Sequence, residues 1–108
     1  MIGIEILGTG RYVPADCLSN DDLSRMVETS DEWIYSRTGI KTRHISRTEN
    51  TSQLAFYAAE KAIENSGVSK EDIGFIIVAT CSADHIMPSV ASMLQKLLGL
   101  SEQVMAFD

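Results

Sequence analysis

Cys81 and His85 stand four residues apart, with Asp84 beside the histidine. A Cys–His pair can do covalent acyl chemistry when the fold supplies a third group to orient the imidazole. A metal centre needs three or four ligands, and no further His or Cys falls nearby in the sequence. The plainer reading is a buried cysteine closing a strand and a histidine in the following loop. Gly8-Thr9-Gly10 resembles the opening of a dinucleotide-binding turn, but that fingerprint needs a third small residue and a helix start, where this chain has Val13-Pro14. A tight turn is the expected role. The stronger chemical signal is charge. Residues 16–32 carry six acids, whereas residues 37–47 carry Arg37, Lys41, Arg43 and Arg47 and no acid. A basic cluster on an acidic chain fits a specific anionic partner, such as a phosphate-bearing ligand or an acidic carrier protein. Trp33 precedes Arg37 by four residues, so on a helix both share one face. An indole beside a guanidinium suits a phosphorylated purine, the ring stacking and the fork gripping phosphate. The competing reading is a solvated basic loop with Trp33 in the core.

These side chains need elements to hold them. Ile2, Ile4 and Ile6 alternate with Gly3 and Glu5, which predicts a strand over residues 2–7 followed by an irregular loop. Ser19 with Asp22 predicts a short helix over 21–27, and Thr29 with Glu32 has capping-box spacing for a helix ending at Gly39. Residues 40–48 carry no assignable pattern. Asn50 with Gln53 opens a helix over 51–65, closed by Gly67, and its nearly all-apolar run 54–59 predicts a buried helix. The run 75–79 reads as a strand covered on both faces. Pro88 opens a helix through Leu98 with an apolar stripe of Val90, Met93, Leu94, Leu97 and Leu98, and residues 104–107 read as a further strand. The resulting βαβαβ order predicts an α/β fold with a parallel sheet core. A core strand at the end of the chain, with no helix after it, predicts a piece of a larger protein.

Composition narrows the function. The 108 residues, one domain's worth, carry a net charge of -6 with 44% hydrophobic residues, which excludes a disordered tail and argues against a nucleic-acid partner. No run reaches the roughly 18–20 apolar residues of a membrane span. The N-terminus lacks the basic start of a signal peptide. Cys17 and Cys81 form no C-x-x-C and are expected to be reduced thiols of a cytoplasmic protein.

Several blocks together carry a family resemblance. Gly8-Thr9-Gly10-x-x-x-Pro14, Thr29-Ser30-Asp31-Glu32-Trp33-Ile34, Arg37-Thr38-Gly39-Ile40-x-x-Arg43-His44-Ile45, Ala79-Thr80-x-Ser82-Ala83-x-His85-x-x-Pro88-Ser89 and Ala106-Phe107-Asp108 resemble, in order, β-ketoacyl-acyl-carrier-protein synthase III of the thiolase-like condensing enzymes. The resemblance covers the whole chain and implies the N-terminal portion of such an enzyme, an incomplete first half of a thiolase-like fold, stopping just before the expected nucleophile. It implies an acyltransferase that starts fatty acid synthesis, condensing an acyl-CoA, often acetyl-CoA, with malonyl-acyl carrier protein by decarboxylation, usually as a homodimer and with no cofactor or metal. The catalytic Cys, His and Asn are expected beyond Asp108, so the 108-residue chain alone is expected to be inactive. Among the residues present, the resemblance implies that Trp33 stacks on the CoA adenine, that Thr29 and Arg37 lie near the nucleotide and its phosphates, and that Met87 reaches a dimer partner's acyl pocket. A related starter-condensing enzyme of a secondary pathway, and a non-catalytic ligand-binding or dimerisation module, stand as the alternatives.

Overall fold

A computed structural model describes residues 3–108. The chain divides into two compact units, one of Val13–Glu49 and one of residues 3–12 with Asn50–Asp108.

In the first unit, β1 (Asp16–Ser19) pairs antiparallel with β2 (Thr42–Ile45), Leu18 opposite Arg43 and Ser19 opposite Thr42. Sequence patterning misses both strands, because at four residues each they are too short for alternation to show. Cys17 therefore lies in a strand rather than a loop. Between the strands run α1 (Asn20–Ser24) and α2 (Asp31–Thr38). The Ser19 hydroxyl accepts the Asp22 N–H at 3.1 Å, and the Asp22 carboxylate accepts the Ser19 N–H at 2.9 Å, a complete capping box. The Ser19 hydroxyl also donates to the Asp22 carboxylate at 2.6 Å, and this bond first, the Ser19 N–H second, holds the Asp22 carboxyl below its ordinary value. The helix is shorter than expected, ending at Ser24. The N-cap of α2 is Ser30, whose hydroxyl accepts the Trp33 N–H at 3.1 Å, and not Thr29. Gly39 closes α2 at φ 68°, a conformation only glycine adopts without strain.

In the second unit, α3 (Thr51–Ser66) is followed by a single 3-10 turn (Lys70–Asp72), β3 (Phe75–Ile77), α4 (Val90–Leu97) and β4 (Met105–Phe107). β3 and β4 pair in parallel through α4, with Ile76 opposite Ala106, which is the expected βαβ arrangement. Phe75 and Phe107 meet edge-to-face at 4.8 Å. Val90, Leu94 and Leu98 of the expected stripe are buried, together with Ala91 and Val104, whereas Leu97 is exposed. Ser89 rather than Pro88 caps α4, and the Asp108 carboxylate accepts the Val90 and Ala91 N–H groups at 2.8 and 2.7 Å. The N-terminus of α3 is closed by the Asn50–Gln53 capping box and by Asp84, which accepts from Thr51 N at 2.7 Å and Ser52 N at 3.0 Å.

Three expectations fail here. Of the strand expected over 2–7, residue 2 lies outside the described residues, and residues 3–7 pair with no strand among them, leaving Ile4 and Ile6 exposed. Helix α3 is mostly half-exposed, with only Ser52 buried, because the described elements cover one side of it. The strand read over 75–79 shortens to Phe75–Ile77, and with one neighbouring strand Phe75 and Ile77 stay exposed instead of covered on both faces.

Candidate functional site

Trp33 sits on the first turn of α2 and Arg37 one turn later. The Arg37 guanidinium lies 4.6 Å from the centre of the indole. Exposed pairs of this kind contribute about 0.5–1 kcal/mol. Trp33 is 55% exposed, so the reading that puts it in the core does not hold for this chain. Its ring and Thr29 line one shallow recess of about 230 Å³ with Glu28 and Ser30. Three of the sequence-derived residues are thus gathered around α2: Thr29 and Trp33 in the recess wall, Arg37 over the ring.

The basic cluster is divided. Arg43 is committed inward: Nη1 donates to the Leu18 carbonyl at 3.1 Å and Nη2 to Asn20 Oδ1 at 2.5 Å. Arg47 is paired with Asp16. That leaves Arg37 over Trp33 and Lys41, whose Nζ lies 5.3 Å from the centre of the Tyr35 ring. Of the four bases the sequence offered, Arg37 and Lys41 thus lie at the surface beside aromatic rings, while Arg47, also exposed, is engaged with Asp16. Sequence reasoning missed Asn20, the buried partner of Arg43, which reads there only as the residue after a cap.

Met87 belongs to the other unit, in the loop before α4, and is 84% exposed, as is its neighbour Ile86 at 100%. Cys81 is exposed, not buried as expected, and its thiol is free. Burial by itself would raise the Asp84 carboxyl, but hydrogen bonds from Ser52 and Thr51, aided by the charge of His85, outweigh it and bring the group below its ordinary value. Asp84 thus adds to the Asn50 cap at the start of α3. Among the described residues no group of three His, Cys, Asp or Glu is placed to hold a metal ion, and no helix is long and apolar enough to cross a membrane.

Comparison with known proteins gives the family context. No family model matches the chain. Among curated proteins, β-ketoacyl-[acyl-carrier-protein] synthase III of Lactococcus lactis is 54% identical over 104 residues, 96% of this chain and 32% of that protein. The Clostridium acetobutylicum protein of the same name is 52% identical over 108 residues, 100% of this chain and 33% of that protein. Among solved structures, 3-oxoacyl-[acyl-carrier-protein] synthase III from Aquifex aeolicus superposes with a TM-score of 0.91 at 39% identity, covering 96% of this chain and 34% of that one. The chain spans about a third of the length of the curated relatives it matches. Over its whole length it resembles β-ketoacyl-acyl-carrier-protein synthase III, and its fold is the corresponding part of a thiolase-like α/β fold.

Proposed function

We propose that this chain is the N-terminal portion of a β-ketoacyl-acyl-carrier-protein synthase III, an acyltransferase that condenses an acyl-CoA starter with malonyl-acyl carrier protein to a 3-ketoacyl carrier protein. The observation that carries this reading is 52% identity across all 108 residues to a protein of that name. In this reading the thiol nucleophile and its His and Asn partners lie past Asp108, and residues 1–108 contribute substrate binding. The α2 surface is the nucleotide wall. The indole of Trp33 offers one face to the adenine while its other side carries Arg37, whose guanidinium is left with donors for phosphate. Thr29 adds a hydroxyl to the same recess. Met87, apolar and almost wholly exposed, is the residue that enters a partner's acyl pocket in a homodimer. Two free thiols fit a cytoplasmic enzyme.

Two measurements test this. Sequencing the gene beyond Asp108 finds a Cys within a few codons, or a stop that overturns the enzyme reading. In the complete protein, Trp33→Ala weakens CoA binding by ~1–3 kcal/mol, the range of one base–aromatic stack. An unchanged dissociation constant by calorimetry removes the nucleotide wall.

A further inference from the structure

We propose that Asn20 is the positioning residue of the nucleotide wall, the side chain that holds α2 and with it Trp33 and Arg37 in place; this rests on the CoA reading given above. Helix α2 is eight residues long and buries none of them in this chain. A helix that short is marginal on its own, since isolated helices need ~12–15 residues. Something other than apolar burial must fix it, and the structure shows what. Asn20 is 1% exposed. Its Nδ2 donates to Asp31 Oδ1 at 2.7 Å and to the Ile40 carbonyl at 2.8 Å. Asp31 is the first residue of α2, and Ile40 follows its C-cap, Gly39. One amide group therefore ties down both ends of the helix.

The orientation of that amide is set by chemistry. A guanidinium only donates, so the Arg43 Nη2 contact at 2.5 Å must be to Oδ1. This turns Nδ2 toward Asp31 and Ile40, both of which can only accept. The Asn20 backbone N–H donates to the Lys41 carbonyl at 3.1 Å, so the main chain is held as well. Arg43 is fixed in turn by the Leu18 carbonyl of β1. The link runs from the β1–β2 pair through Arg43 and Asn20 to the two ends of the helix that carries the stacking residue. No group in it touches the recess, which makes its role one of placement.

The test uses the complete synthase and reads the KM for acyl-CoA, the KM for malonyl-carrier protein and kcat separately. Asn20→Asp keeps the shape and the acceptor for Arg43 but sets a carboxylate against the Asp31 carboxylate and the Ile40 carbonyl. We expect the KM for acyl-CoA to rise roughly tenfold, the cost of a lost hydrogen bond to a charged group, with the other two parameters changed by less than about twofold. Adding Asp31→Asn to Asn20→Asp restores a donor–acceptor pair at the start of α2 and recovers most of the loss. A lowered melting temperature with an unchanged KM for acyl-CoA, or a double variant no better than the single, overturns the proposal. If Asn20→Asp does not fold, Asp31→Ala, at an exposed position, removes one of the two ties; a severalfold rise in the same KM supports the proposal, and no rise defeats it. Trp33→Ala is measured alongside. If it weakens CoA binding while the Asn20 and Asp31 variants do not, the positioning role alone is lost. If Trp33→Ala has no effect, the nucleotide wall falls and the positioning role with it.

Discussion

Cys81 lies four residues past the end of β3, exposed and unpaired. An exposed thiol near a histidine invites a catalytic role, but covalent catalysis needs the imidazole oriented by a further group. The adjacent carboxylate is engaged elsewhere, with both Asp84 oxygens accepting backbone N–H groups at the start of α3. If the proposed synthase function holds, we expect Cys81→Ser in the complete protein to form the acyl-enzyme with kcat within about twofold of the parent, as for most surface substitutions. Loss of acylation in a folded variant, detected by intact-protein mass spectrometry, would place the nucleophile here. At this scale the sequence shows short-range relations and hides long-range ones. The four-residue spacing of Trp33 and Arg37 fixes their ring-to-guanidinium approach once a helix is granted. The inward commitment of Arg43 and the pairing of Arg47 with Asp16 are not legible, because the partners lie more than twenty residues away. Thr29 and Ser30 are adjacent hydroxyl residues, and nothing local decides which one caps α2.

The Gly8-Thr9-Gly10 segment shows the same limit for an element. Its glycines read as a tight turn, yet neither has a positive φ. They are instead places where the backbone lies against α3. A Cβ on Gly8 would fall 2.6 Å from Ser66 N, and one on Gly10 would fall 2.2 Å from the Ala58 carbonyl oxygen and 2.3 Å from Ala62 N. Asn65 Nδ2 adds a hydrogen bond to the Thr9 carbonyl at 2.8 Å. The small residues Ala58 and Ala62 of α3 and the glycines of this segment are two sides of one close approach. Gly10→Ala is expected to destabilise the protein by at least about 1–3 kcal/mol, the usual cost of overpacking, because the opposing atoms are helix backbone that cannot step aside. A denaturation midpoint equal to the parent's would show that the segment can move away from α3. Helix signals at Asn50, Gln53, Gly39 and Gly67 are local and legible, and the structure uses each of them. Strands are legible only where a neighbour exists: β3 and β4 find each other, whereas residues 3–7 alternate as a strand should and pair with nothing described.

For the whole molecule the decisive quantity is how little apolar surface the described residues remove from water by themselves. The buried apolar side chains among the described residues are Val90, Ala91, Leu94, Leu98 and Val104, on α4, at its C-cap or just before β4. Against them stand Ile4, Ile6, Met26, Val27, Ile77, Ile86, Met87 and Met105, each more than half exposed. Both sheets have two strands, and a two-stranded sheet without cover is marginal in water. Complete domains retain only ~5–15 kcal/mol of net stability, so a chain that leaves this much apolar surface wet has little margin for a cooperative fold. Its parallel strand edges are open to pairing with other chains. Residues 1–108 expressed alone are therefore expected to be poorly soluble or molten: helical by far-ultraviolet circular dichroism, weak in near-ultraviolet signal, strongly binding a hydrophobic dye, and without condensing activity. The complete protein should melt cooperatively under the same conditions. Sharp, dispersed amide resonances and a cooperative melt from the 108-residue chain would overturn this expectation. They would show that its two units hold their folds without the remainder, and would favour a stand-alone binding module over part of a condensing enzyme.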